Sequence, residues 1–196
     1  MAVHVKWLDT LIGRTRPKQA DLDALFRLTS AAITLEAATG LRPSGKAAVS
    51  FKPASGQGFS ATGEELAELV RYGAGQSDSE VRTVDDEFGY RWIVLSDEDM
   101  EDLVAAIHLA NSTLEERGFG SQLLCSVFGF TDEAGGRECH LVYLYKRGTF
   151  YPFAPREGRR RDNELELQVR STVNGELPVE ADLTRWFALW GLPLGG

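Results

Sequence analysis

The chain has 196 residues, of which 43% are hydrophobic and 26% are charged, and its formal net charge is −8. This length favours one domain with one core, and the composition is that of an ordinary globular protein. The longest uncharged run has about 14 residues, whereas a membrane-spanning helix needs roughly 20, so no such helix is predicted.

Charge is unevenly distributed along the chain. Residues 1–20 have a net charge of +3, residues 60–102 of −10 and residues 140–161 of +5. An acidic chain disfavours a general nucleic-acid binder, which would usually be basic overall. The two basic segments still leave open a local footprint for an anionic partner.

The first predicted element is a short amphipathic helix with a basic tail, in an N-terminal segment of residues 1–18. Such a stripe is typical of an interfacial membrane helix, and docking on the chain's own domain is the alternative. The candidate membrane or partner contacts are Val5, Trp7, Leu8, Leu11, Ile12, Arg14, Arg16 and Lys18. Asp9 and Gly13 interrupt the apolar run, so no signal peptide is predicted and a cytoplasmic location is expected.

Residues 19–196 are predicted to form a single domain. A short helix in KQADLDALFRLTS precedes two strands, AAITLEAA and AAVSFKP, which a Gly/Pro loop separates. A capped helix is predicted in TGEELAELVRYG. EVRTVDDEFGYRWIVLS then predicts a hairpin around Asp86 to Gly89.

The second half begins with the longest predicted helix, from a Ser96 cap to Gly118. SQLLCSVFGFTD and RECHLVYLYKRG are apolar on both alternating sets and are predicted to be central strands. DNELELQVRSTV fits both periods and is interpreted as a helix, and VEADLTRWFALWG is predicted to be a helix with one apolar face. Two strands then a helix, three times over, predict an α+β fold with a ββα-like rhythm, in which helices pack on a mainly antiparallel sheet.

Both cysteines fall in the predicted central strands. If the turn between these strands centres on Ala134 and Gly135, Cys125 lies opposite Leu144 and Cys139 opposite Phe130. The thiols are then too far apart for a disulfide, and free thiols are expected in a reducing compartment.

Three motifs are weak signals for chemistry. GLRPSGKA matches a phosphate-binding loop but lacks the final Ser or Thr and precedes a predicted strand, so a connecting loop is predicted. The acidic runs at 85–87 and 96–102 suit a solvated turn and a helix N-terminus better than a metal site. The histidines form no recognisable triad, and no catalytic residue, metal site or cofactor is predicted.

The most informative segment is LYKRGTFYPFAPREGRRRDNE, in which cations alternate with aromatic rings. The rings could stack on bases, the segment could bind a partner or an anionic surface, or the rings could pack on the core beneath arginine stems. The prolines and the nearby strand ends favour the last. The candidate residues of this basic and aromatic segment are Lys146, Arg147, Phe150, Tyr151, Phe153, Arg156, Arg159, Arg160 and Arg161.

Several long phrases together resemble one family. They are WLDTLIGRTRP, LDALFRLTSAAITLEAATGLRPSGKAAVSFKP, GFGSQLLCSVFGF, LVYLYKRGTFYPFAP, RRRDNELELQVR and LPVEADLTRWFALWG. The chain is similar to the PspA-associated family PspAB, found mainly in actinobacteria. The resemblance implies association with PspA, a coiled-coil protein of the membrane-stress response, and carries no catalytic motif.

The function expected is therefore a non-enzymatic adaptor of bacterial envelope stress. It would bind a protein partner such as PspA, and the anionic inner face of the plasma membrane, through the N-terminal segment and residues 146–161. A nucleic-acid-binding module built on the same basic and aromatic residues is one alternative. An enzyme with a dispersed site is the other.

Overall fold

A computed structural model of the chain describes residues 21–53, 66, 68, 80–134 and 136–194. Three α-helices are complete within these ranges: α1 (Leu28–Thr39), α2 (Met100–Glu116) and α3 (Asn163–Val173). Short 3-10 helices are formed by Leu22–Arg27, Gly120–Gln122 and Leu183–Arg185. The predicted contacts at residues 1–18, and most of the predicted helix at 62–73, lie outside the described residues, although Leu66 and Glu68 are helical.

The strands of the described residues form a six-stranded sheet and a separate two-stranded ribbon. The strands are β1 (Arg42–Phe51), β2 (Glu80–Asp85), β3 (Arg91–Ser96), β4 (Leu123–Thr131), β5 (Glu138–Leu144), β6 (Thr149–Phe153), β7 (Pro155–Arg156) and β8 (Arg160–Arg161). The order in the large sheet is β2-β3-β1-β4-β5-β6, and every neighbouring pair is antiparallel. The predicted α+β single domain is confirmed in this arrangement.

Both faces of the sheet bury apolar side chains. One face packs under the three α-helices and the Leu22–Arg27 helix, with Phe51, Phe128 and Phe150 in its core. The opposite face packs under the C-terminal residues 186–194, and Val127 and Val142 lie in this second core. Coverage of both faces explains why β4 and β5 are apolar on both alternating sets.

The register of β4 and β5 confirms the predicted cysteine positions. Cys125 pairs with Leu144, and Cys139 pairs with Phe130. Both thiols are free and buried. The predicted hairpin at Asp86 to Gly89 and the helical interpretation of DNELELQVRSTV are confirmed as well.

The prediction of a strand in AAITLEAA is wrong, because these residues belong to α1. The buried side chains of α1 recur at helical spacing, at Leu28, Ala31, Ala32, Leu35 and Thr39. Gly40 ends the helix in the left-handed conformation, with φ of 75°, and its N–H donates to the carbonyl of Glu36. The ββα-like rhythm is not confirmed, since the first strand of its first unit is a helix.

The start of β1 replaces the Gly/Pro loop that was predicted before AAVSFKP. β1 begins at Arg42 and pairs with β4, with a register irregularity between Pro43 and Ala47. Gly45 has a φ of 72° within this irregularity, a conformation that suits glycine. GLRPSGKA is thus mostly strand rather than connecting loop.

The predicted Ser96 cap of the long helix is also wrong. Ser96 is the last residue of β3, paired with Lys46 and Glu80. The N-cap is Asp99, whose Oδ1 accepts a hydrogen bond of 2.7 Å from the backbone N–H of Glu101. An aspartate fills this role because its carboxylate satisfies a free N–H and lies at the positive end of the helix dipole.

The helix predicted in VEADLTRWFALWG is not formed, apart from the 3-10 turn at Leu183–Arg185. Its backbone groups instead bond to the edge of the sheet. The N–H of Phe150 donates to the carbonyl of Pro178, and the N–H of Glu180 donates to the carbonyl of Phe150. Trp186, Leu189 and Trp190 of the segment pack on the second face of the sheet rather than forming a helical stripe.

Candidate functional site

The basic and aromatic segment is part of the folded sheet rather than a free loop. Residues 145–148 form the turn between β5 and β6, β6 is an edge strand, and β7 and β8 form the ribbon. Phe150, Tyr151 and Phe153 all lie on β6 and are buried. Their rings have no exposed face on which a base could stack, so they pack on the core.

Three of the six cations in this segment are paired with carboxylates. The pairs are Arg147 with Glu180, Arg156 with Asp162, and Arg161 with Glu166. The first pair fastens the C-terminal segment to the β5–β6 turn. The other two fasten the ribbon to α3. These three cations therefore already have a role within the fold.

Glu180 is the most buried member of these pairs, with 1% of its surface exposed. Besides Arg147, it accepts hydrogen bonds from the hydroxyl of Thr149 and from the N–H of Asp182, each 3.0 Å long. The hydrogen bond from Arg147 holds the pKa of Glu180 below its usual value. The carboxylate is thus kept ionised to hold residues 180–182 against β6.

Arg161 joins α3, β6 and the C-terminal segment. Its Nε donates to Glu166 at 2.8 Å, and its Nη1 donates to the carbonyl of Trp186. Its guanidinium carbon lies 5.4 Å from the centroid of the Phe153 ring, a cation–π arrangement. The guanidinium of Arg161 thus lies over a buried aromatic ring, so this cation and this ring both pack within the fold.

The remaining cations, Lys146, Arg159 and Arg160, are exposed. None of the three forms an ion pair with a described residue, although Arg160 donates to the carbonyl of Glu157. Arg159 has a φ of 54°, which is uncommon for a residue other than glycine or asparagine. These three side chains are the part of the segment that can reach a partner.

A cleft of about 720 Å³ opens on the sheet face opposite the helices. Ser50, Cys125 and Tyr151 form part of its floor. One wall is the β2–β3 turn, and the other is the irregular segment 187–193. Both walls are irregular segments that border the sheet floor.

Hydrogen bonds join the floor of the cleft to its walls. Trp92 Nε1 donates to Asp86 Oδ2 at 2.9 Å, and the Tyr151 hydroxyl donates to the carbonyl of Phe187 at 3.1 Å. Ser50 has no such bond. Its Oγ is buried and has no hydrogen-bond partner among the described residues.

Aromatic rings and charges surround the mouth of the cleft. Phe88 on the turn is 69% exposed and Phe187 on the C-terminal segment is 56% exposed, although both line the cleft. Arg159 also lines it. Large exposed rings beside an apolar cavity are typical of a binding surface.

The comparison with known protein families shows to which family the chain belongs. Residues 5–194 match the family described as PspA associated protein B. The chain belongs to that family. No curated protein and no solved structure matched the chain. The family description links the chain to PspA and the phage shock system.

For this family member, the described residues contain no group of three or more His, Cys, Asp or Glu side chains placed to hold a metal ion. His140 is buried with its Nε2 3.2 Å from Glu138, and His108 packs on Phe26 with ring centroids 4.8 Å apart. Burial raises the pKa of Cys125 to about 12. Within the ranges that the structure covers, no helix has both the length and the apolar character to cross a bilayer.

Sequence reasoning missed the cleft altogether. One of its walls is the C-terminal segment, which the pattern predicted to be a helix. The clustering of Phe187, Leu189, Trp190 and Leu192 before Pro193 was the available signal, since a helix with one buried face does not need so many large apolar residues in six positions.

Proposed function

We propose that this PspA associated protein B is a non-enzymatic adaptor that binds PspA directly. Membership of the family over residues 5–194 is the observation that carries the proposal. The adaptor acts in the cytoplasm, beside the inner face of the plasma membrane, and changes what PspA contacts rather than making or breaking bonds.

The unpaired cations on the two turns supply the contact surface. Lys146 lies on the β5–β6 turn, and Arg159 and Arg160 lie on the ribbon. Exposed cations that are not held by internal carboxylates are free to pair with an acidic partner, and such charges chiefly govern association rate and specificity. The paired cations Arg147, Arg156 and Arg161 hold the turn and the ribbon to the rest of the fold.

The N-terminal segment supplies a second contact, with the membrane or with the same partner. Its apolar stripe and the three cations of its basic tail, Arg14, Arg16 and Lys18, have the chemistry of an interfacial helix. The full chain should sediment with anionic liposomes more than a chain that lacks residues 1–18. Equal and negligible sedimentation of both would remove the membrane contact from the proposal.

The contact with PspA is tested by reversing one charge. Immobilised PspA should capture Arg160→Glu about two- to tenfold less strongly than the unchanged chain, since a rim charge and its reversal change binding modestly. Arg27→Glu is the matched control, because Arg27 is exposed in the helical layer and its reversal changes the net charge equally. Equal loss in both variants, or none in Arg160→Glu, would count against this surface.

A further inference from the structure

We propose that the apolar cleft binds a single-chain anionic amphiphile that has a hydrogen-bond acceptor beside its chain, as a monoacyl phospholipid has. The acyl chain lies along the sheet floor, an ester carbonyl accepts a hydrogen bond from Ser50, and the phosphate lies at Arg159. This binding site is independent of the proposed contact with PspA.

The volume and shape of the cleft indicate a small molecule rather than a flat protein surface. Its 720 Å³ fall within the range of about 300–1,000 Å³ found for small-molecule sites. The β2–β3 turn and residues 187–193 both line the cleft beside the sheet floor. A chain-like ligand fits between two such walls, whereas a folded partner would meet the walls before it reached the floor.

The apolar lining of the cleft favours a ligand with a hydrocarbon chain. The aliphatic side chains that face the cleft and are only partly buried by the protein are Val84, Leu124, Leu144, Leu189 and Leu192. Each methylene that a ligand buries against such a surface strengthens binding by roughly fourfold. Affinity should therefore rise steeply with acyl chain length until the cleft is full.

The buried hydroxyl of Ser50 favours a ligand that has a hydrogen-bond acceptor. It is 1% exposed, lies on the floor opposite Cys125 in the β1–β4 register, and its hydroxyl lacks a partner among the described residues. A buried hydroxyl without a partner is unfavourable. A ligand carbonyl at the floor would satisfy it, which a pure hydrocarbon could not.

The position of Arg159 at the mouth of the cleft favours a ligand with an anionic head group. Its backbone has a φ of 54°, where glycine would be less strained, so the ribbon presents a cation at the mouth in a costly conformation. Two of the acidic residues at the other wall are occupied: Asp85 is bound to Arg91, and Asp86 accepts from Trp92 and from two backbone N–H groups. Glu87, on the same turn, is exposed and repels an anion, so the head group belongs at the Arg159 side.

The first experiment asks whether the cleft is the site. The probe is 1-anilinonaphthalene-8-sulfonate, whose fluorescence rises in apolar surroundings. Monomeric 1-oleoyl lysophosphatidate is titrated in, and the fall in fluorescence measures how much probe it displaces from the full chain. Ala188→Trp fills the mouth at an exposed position, and Ala181→Trp is the matched control in the same segment outside the cleft. The affinity for lysophosphatidate should fall at least tenfold in Ala188→Trp and stay unchanged in Ala181→Trp. Equal affinities of the two variants would overturn the proposal.

The second experiment tests the two polar anchors. Lysophosphatidate should bind more tightly than 1-oleoylglycerol, which lacks only the phosphate. Arg159→Gly relaxes the backbone while removing the cation, and should weaken lysophosphatidate about three- to fivefold without changing 1-oleoylglycerol. Ser50→Ala should weaken both ligands about three- to tenfold. Equal affinities of the two ligands for the unchanged chain would contradict the anionic head group.

A protein occupant would give a different pattern. If no amphiphile displaces the probe while Ala188→Trp abolishes capture by PspA, the cleft is a protein-docking groove and the amphiphile proposal fails. Loss of PspA capture in Arg160→Glu with unchanged amphiphile binding would instead leave both proposals standing, because Arg160 does not line the cleft.

Discussion

Cys125 lies on the floor of the cleft, where burial raises the pKa of its thiol to about 12. The thiolate is the reactive species, so at pH 8 the folded chain should react with an aromatic disulfide reagent about a thousandfold more slowly than the unfolded chain. Cys139, whose pKa burial also raises, should behave alike. Release of the coloured thiolate with and without denaturant measures both rates. Rates within tenfold of each other would mean that the floor is open to polar reagents.

Glu180 gives the fold a defined sensitivity to acid. Its pKa is lowered, chiefly by the hydrogen bond from Arg147, from a usual value of 4.5. The stability that it contributes is therefore complete above pH 4.5 and is lost as the pH falls below that value through the lowered pKa. Glu180→Gln should cost about 1–3 kcal/mol at pH 7.

The pH dependence of the stability lost in Glu180→Gln shows whether the charge of Glu180 is responsible. Urea unfolding of Glu180→Gln and of the unchanged chain should show free energies of unfolding that converge as the pH falls from 5 towards 3. A difference that stays constant across this range would show that the charge of Glu180 does not matter. The comparison needs no assumption about the other carboxylates, since both chains share them.

At the level of single residues, the sequence predicted the alternation of cations and rings but not which of them are free. In the sequence, nothing distinguishes Arg147 and Arg161 from Arg160 as cations that could bind a partner. Their carboxylate partners, Glu180 and Glu166, become neighbours only through the fold. Pairing between segments depends on tertiary contacts, which local patterns do not encode.

The secondary structural elements differ in how well local pattern predicted them. The hairpin of β2 and β3 and the register of β4 and β5 follow from turn chemistry and from alternation, both of which are local. α1 was predicted as a strand because its alanines and threonines have no strong period, and packing against α3 and β1 decided its conformation. Tertiary packing overrides weak propensity in this way.

The N-cap of α2 provides a test at this scale. Asp99→Ala should lower the free energy of unfolding by about 1 kcal/mol, because the N–H of Glu101 loses its acceptor. Ser96→Ala is the matched control, since Ser96 ends β3 and caps no helix; its effect should stay within about 0.5 kcal/mol. Urea denaturation of both variants gives the two values. A larger loss in Ser96→Ala would place the helix start three residues earlier.

The whole molecule is a sheet with different coverings on its two faces. Among the described residues, three complete α-helices pack on one face, whereas an irregular C-terminal segment covers the other and leaves the cleft beside it. The α+β class follows from the order and length of apolar segments. The cleft does not, because all six strands of the large sheet contribute lining residues and its walls come from segments without regular structure.

We propose direct association with PspA through exposed cations. An equilibrium titration of the purified full chain with purified PspA, at low and at high ionic strength, tests this association. We expect saturable binding that weakens several-fold as salt screens the cations on the two turns. Absence of binding even at low ionic strength would exclude direct association through these cations.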